Sequence, residues 1–234
     1  MSITATKFTR AAGLCAIAAG LLFAAVQINH PHLDANFVTT TEWTVRQGMK
    51  VLMAALALVG ITGMYLRQIK ETGVLGLIGY VLFSAGYLTM LSVETIGMVV
   101  LPSIAHGAPG YVNDVLAVST NGSAAGDIGL MQPLISFMGI GYLGGGLVFA
   151  IALFRAQILV RWTAVLLAVG AVAPIAILVL PQINFRLFAL PNAVALVALG
   201  FSLWREQRTV TGQSLRKVAS SSLDPAGAKR TSTL

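Results

Sequence analysis

Hydrophobic positions along this chain gather into six stretches, roughly over 11–28, 48–66, 73–101, 130–154, 162–180 and 185–204. Each approaches or exceeds the length that crosses a hydrocarbon core of about 30 Å. Between them the polar residues form a loop at 29–47, a tight turn at 67–72 and a long loop at 102–129. A second tight turn at 155–161 and a short link at 181–184 complete the connections. The pattern predicts an all-α fold, a polytopic membrane bundle of about six transmembrane helices filling 1–204. From Arg205 to Leu234 the chain is rich in Ser, Thr, Lys and Arg, with too little apolar surface to fold. This predicts a basic, disordered tail.

Charge orients the bundle. With the N-terminus inside, twelve of the fifteen Lys and Arg fall on the cytoplasmic side, leaving Arg46, Lys50 and Arg186 outside. Short loops follow this positive-inside bias, so both termini are expected in the cytoplasm of a multi-pass cell-membrane protein. The first stretch carries a second reading. Lys7 and Arg10 ahead of an apolar run ending in Phe23-Ala24-Ala25 also suit a cleavable signal peptide, which would leave five helices in the same orientation. We expect it to be retained as an anchor.

Composition agrees with lipid as the solvent: 56% of residues are hydrophobic and only 10% charged, far below the quarter usual in soluble domains. The net charge of +7 does not indicate nucleic acid, because most of it lies beside apolar runs, where it meets anionic lipid. Cys15 stands alone, so no intrachain disulfide is possible. Signatures such as GxSxG, HExxH and CxxC are absent, and the soluble enzyme classes they mark gain no support.

With orientation assigned, the scarce polar residues fall mainly at the outer end. All three histidines lie there, with Asp34, Glu42, Glu94, Asp114 and Asp127. Glu94 is the most informative. A carboxylate at mid-depth costs roughly 2.5–3.5 kcal/mol, and less near the interface, so it is expected to face the bundle and find a partner. Arg186, Arg46 and Lys50 are the candidate cations. Tyr80, Tyr87 and Glu94 recur every seven residues with Phe83 on the same face, a stripe of rings leading to a carboxylate. Phenol hydroxyls turned toward lipid would be unsatisfied, so the stripe is expected to face inward; ordinary core packing explains it equally.

Other features carry less. His30-Pro31-His32 with Asp34 offers metal-ligand chemistry, but Pro31 holds the chain extended and no second cluster completes four ligands. Haem between His30 and His106 would need ligands within helices, whereas both stand at the water boundary. Neither a metal nor a cofactor is expected. In the long loop, 111–118 has a partly apolar face and predicts a short helix, lying at the interface or folded over the bundle mouth. Asp127 is placed to cap the fourth long helix. Gly141-x-x-x-Gly145 permits close approach to a neighbouring helix, in this chain or in a homo-oligomer. Pro174 predicts a kink in the fifth helix.

Two kinds of function suit these features. One is an enzyme acting on a lipid-soluble substrate, with a buried carboxylic acid as proton donor and aromatic faces stabilising positive charge. Glu94, Asp114, Asp127 and Glu42 are its candidate catalytic residues. Tyr80, Phe83, Tyr87, Tyr142, Trp43, His30 and Arg186 form the candidate substrate-binding set. The other is a small transporter or accessory subunit using the outer carboxylates for proton or ion passage.

Val93-Glu94-Thr95, the His-Pro loop, and Gly141-Tyr142-Leu143-Gly144-Gly145-Gly146-Leu147 running on to Arg155 and Trp162 resemble small actinobacterial membrane proteins. Within that set the chain is similar to bacterial integral membrane terpene cyclases of meroterpenoid and indole-terpenoid pathways. The resemblance implies metal-free protonation of a prenyl alkene or epoxide, with Glu94 as the acid and Asp114 or Asp127 assisting. Its partners would be a prenylated small molecule and membrane lipid.

Overall fold

A backbone placed in hydrocarbon has to satisfy its own hydrogen bonds, and this one does so with helices. The structure, a computed structural model, describes residues 5–28, 31–174 and 189–205. Among them are α1 (Ala5–Ala25), α2 (Thr41–Arg67), α3 (Ile69–Ile104), α4 (Pro109–Ser119), α5 (Met131–Ala156), α6 (Arg161–Val172) and α7 (Leu190–Arg205). A 3₁₀ turn, Phe37–Thr39, precedes α2, and no strand occurs among the described residues. Four helices (α1, α2, α3 and α5) are long and apolar enough to cross a membrane; α6 and α7 are apolar but shorter. Leu52, Val59, Val74, Leu77, Val81 and Leu88 stand exposed on α2 and α3, as lipid-facing side chains do. The tail beyond Arg205 and the predicted segments 175–180 and 185–188 lie outside the described residues.

Helix boundaries depart from the apolar runs where caps decide them. α2 starts at Thr41, seven residues before its apolar run. Thr40 caps it by accepting the Trp43 amide (3.2 Å), and Glu42 complements the positive end of the helix dipole. Its first two turns look like loop by hydropathy alone, yet Trp43 and Gln47 on them are each 3% exposed. In α3 the membrane-length helix starts at Gly73, whose φ of +56° breaks it from a short preceding turn. The predicted helix in the long loop is present, extended to Pro109–Ser119 with Pro109 in its first turn. α6 gives way to 3₁₀ geometry at Ala173 and Pro174, where the described residues stop.

Small residues bring the helices together. Gly86 of α3 lies against Gly141 and Tyr142 of α5, Gly145 against the Phe83 backbone, and Gly79 against the Phe149 amide, where a Cβ would come within 2.6 Å. The Gly141-x-x-x-Gly145 pair thus serves a contact inside the chain, on α3. The same device joins α1 to α2 (Gly60 and Gly63 against Ala16 and Ala12) and α1 to α7 (Gly13 against Gly200). Phe83, Tyr87, Phe149 and Leu153 fill the main core. A second apolar cluster at the α4 end gathers Val38, Trp43, Leu101, Val112, Val115 and Leu116. By the charge count, that end is expected to be the outer one.

The seam is directly testable. Gly145→Val is expected to lower the thermal midpoint of the detergent-purified protein by several degrees, as overpacking costs about 1–3 kcal/mol. Gly144→Val faces open space and is expected to leave the midpoint unchanged. Equal midpoints for the two variants would overturn this packing.

Candidate functional site

At the outer end, positions 43, 47 and 50 fall on one face of α2 by helical spacing, opposite Glu94 and Gly97 on one face of α3. The Trp43 indole N–H donates to the Gly97 carbonyl (2.9 Å). The Gln47 amide Nε2 donates to Glu94 Oε2 (2.7 Å), and Lys50 Nζ lies 3.4 Å from the same oxygen. Because an ionised carboxylate only accepts, the amide must turn its nitrogen to Glu94, which orients the Gln47 side chain. Gly97 is required for this: a Cβ there would strike Gln47 Nε2. The Glu94 and Lys50 side chains keep only 17% and 21% of their exposure. Partial burial makes an unpaired charge costly, and each offsets that cost for the other.

These residues form the polar wall of a cavity of roughly 230 Å³. Phe23 and Val26 of α1 with Met53 and Met90 supply apolar walls, and Met131 and Met138 add two more thioethers from α5. Unbranched, polarisable methionines make such walls adaptable. Val115, Leu116, Ser119 and Thr120 bring α4 over the site as a cap. That cap is tied down at two neighbouring residues. Asn113 Oδ1 accepts the Ala35 amide of the first outer loop (2.8 Å). The Asp114 carboxylate accepts the amides of Ala125 (2.8 Å) and Gly126 (2.9 Å).

The four candidate acids therefore have different surroundings. Glu94 alone among them lines the cavity. Asp114 holds the loop after α4. Asp127 accepts the Gly129 amide (2.7 Å) in a local turn, and α5 has Leu130 at its N-cap with no side-chain cap, so the expected capping by Asp127 is not seen. Glu42 pairs with Arg46 one helical turn away (2.8 Å) at the rim of a shallower hollow beside α1. That pairing takes up Arg46 and leaves Lys50 as the cation on Glu94 among the described residues.

The aromatic candidates divide by depth. Trp43 lines the cavity. Phe83 and Tyr87 are buried as the inward-facing stripe requires, and pack with Tyr142 beneath the floor (ring centroids 5.6 Å for Tyr87–Tyr142). Phe23 links the levels, lining the cavity and stacking on Tyr142 (6.4 Å), whose hydroxyl receives the buried Asn192 amide. Tyr80 is farther in, stacked on Tyr65 (4.5 Å) with its hydroxyl 3.2 Å from Thr62 Oγ1. His30 and Arg186 lie outside the described residues. His32 and His106 are exposed, and no group of three His, Cys, Asp or Glu is arranged to hold a metal among the described residues.

Sequence reasoning did not single out Gln47, Gly97 or the methionines. Extending α2 back to a Thr40 cap would have shown Trp43, Gln47 and Lys50 as one face. Comparison with protein-family models, curated proteins and solved structures finds no match to this chain.

Gly97→Ala should push Gln47 off Glu94 and destabilise the protein by about 1–3 kcal/mol. In a Gln47→Ala background the same change should cost little, because its obstacle is gone. Thermal midpoints of the four proteins check this; additive costs would sink the proposed coupling.

Proposed function

We propose that this chain is a six-span cell-membrane protein, both termini cytoplasmic, that binds a lipid-soluble isoprenoid-type molecule at its outer end and acts on it by acid–base chemistry. The observation that carries this reading is Glu94, a carboxylate on the wall of an otherwise largely apolar, capped cavity. Among the described residues, Glu94 and Lys50 are the ionisable side chains that line the cavity. Any proton given to an alkene or epoxide held there would come through one of them.

Acid-initiated cyclisation is the reaction this reading assigns. Gln47 and Lys50 both contact Glu94 Oε2, so Glu94 gives up a proton only after the bound molecule displaces Lys50 and Glu94 has taken a proton from water or from the ammonium. The proton then adds to the alkene or opens the epoxide; the carbocation is met by the Trp43 face and quenched by loss of a proton back to Glu94. The transport alternative gains less support from the packing. Below the Phe23–Met53–Met90 floor, α3 and α5 touch at backbone distance along Gly86, Gly145 and Gly79, which suits a blind cavity better than a continuous path.

Glu94→Gln should abolish cyclised product from a prenylated alkene or epoxide in proteoliposomes, a loss of about 10²-fold or more, in a protein that still folds but melts somewhat lower because Lys50 loses its partner. Unchanged turnover by that variant removes the reading. Orientation has its own check, in a Cys15→Ser background treated as intact cells with an impermeant maleimide. Ser123→Cys should label and Gln157→Cys should not; the reverse result would invert the topology.

A further inference from the structure

Resting on the reading of the outer cavity as the site of a lipid-soluble molecule, we infer that its ligand carries a neutral hydrogen-bond-donating head group, a hydroxyl or phenol, received by the Gln47 carbonyl. Gln47 is 3% exposed and lines the cavity. Its Nε2 is committed to Glu94, and its Oε1 is a buried acceptor with no donor among the described residues. A buried amide oxygen without a donor is costly, and a ligand hydroxyl removes that cost.

Charge sets the rest of the ligand's chemistry. Lys50 and Glu94 stand on the same wall as a pair, so the wall offers no net charge to attract an ion. An anionic head would meet the Glu94 carboxylate and an acceptor at Gln47. A cationic head would meet Lys50. A neutral donor meets neither penalty. Size narrows the class further. A volume of roughly 230 Å³ falls below the range of about 300–1,000 Å³ usual for sites that enclose a drug-sized ligand. The cavity therefore encloses a head group with the first part of an apolar body against Phe23, Met53, Met90 and Met138. Isoprenoid alcohols and prenylated phenols have this form.

The test uses the full chain in lipid nanodiscs with Trp162→Phe and Trp204→Phe, so that Trp43 is the remaining tryptophan and its fluorescence reports the cavity. The probes are a geranylated phenol and its methyl ether, compared at equal mole fraction in the lipid. The phenol should bind about tenfold more tightly than the ether, the worth of one buried hydrogen bond left unmade. In Gln47→Met that ratio should fall to about one. Equal binding of both probes to the unsubstituted Gln47 protein overturns the inference and leaves the cavity reading standing. Quenching by neither probe overturns both. A ratio that survives in folded Gln47→Met shows that another group reads the head, which also overturns the inference. If Gln47→Met does not fold, the ratio in the Gln47 protein decides.

Discussion

Helices surrounded by lipid gain little by hiding apolar surface from one another, since lipid tails are as apolar as leucine. What holds such helices is contact close enough for dispersion and backbone complementarity, and side chains larger than hydrogen or methyl prevent it. In this chain that constraint is met by glycine and alanine at successive turns: Gly79, Gly86, Gly141 and Gly145 between α3 and α5, and Ala12, Ala16, Gly60 and Gly63 between α1 and α2. The large rings are then confined to the remaining spaces. Phe83, Tyr87 and Phe149 interlock because the glycines around them admit the neighbouring backbone.

The tight packing stops short of the outer end, and the cavity follows from where it stops. Above Met90, the α2–α3 interface carries Trp43, Gln47 and Lys50 against Glu94 and Gly97 in place of small residues. Gly97 has the same lack of a side chain as the seam glycines, but uses it to admit an amide. The indole N–H and the amide pin α2 to α3 through one backbone carbonyl and one carboxylate. A charged residue near hydrocarbon is thereby held in one geometry, with Lys50 sharing its charge.

The cap belongs to the same arrangement. Asn113 and Asp114 accept three backbone amides from two different loops, while Val115 and Leu116, the next two residues of α4, line the cavity. Polar residues that hold the cap and apolar residues that close the site follow one another within one short helix. Asp114 is thus a loop-holding group in this structure, where its position in the chain suggested chemistry.

Much of this was legible in order and type. Hydropathy located four helices long enough to span, and loop composition located α4, because an apolar run and a partly apolar face are local properties of the chain. That Glu94 would need a partner was legible too, since a carboxylate near hydrocarbon demands one wherever the chain puts it. The partner's identity was not. Arg46, Lys50 and Arg186 are equivalent by charge, and the choice of Lys50 depends on Arg46 being drawn to Glu42 one turn away. Gln47 was hidden because its importance comes from Gly97, fifty residues later, leaving room for an amide. The sequence by itself determined the apolar helices, the charge bias and the gathering of five of the eight carboxylates toward one end, all of which follow from local composition. Only the tertiary structure decided which polar groups share one wall, because that depends on the depth and rotation at which two helices lock, and those are set by glycines elsewhere in the bundle.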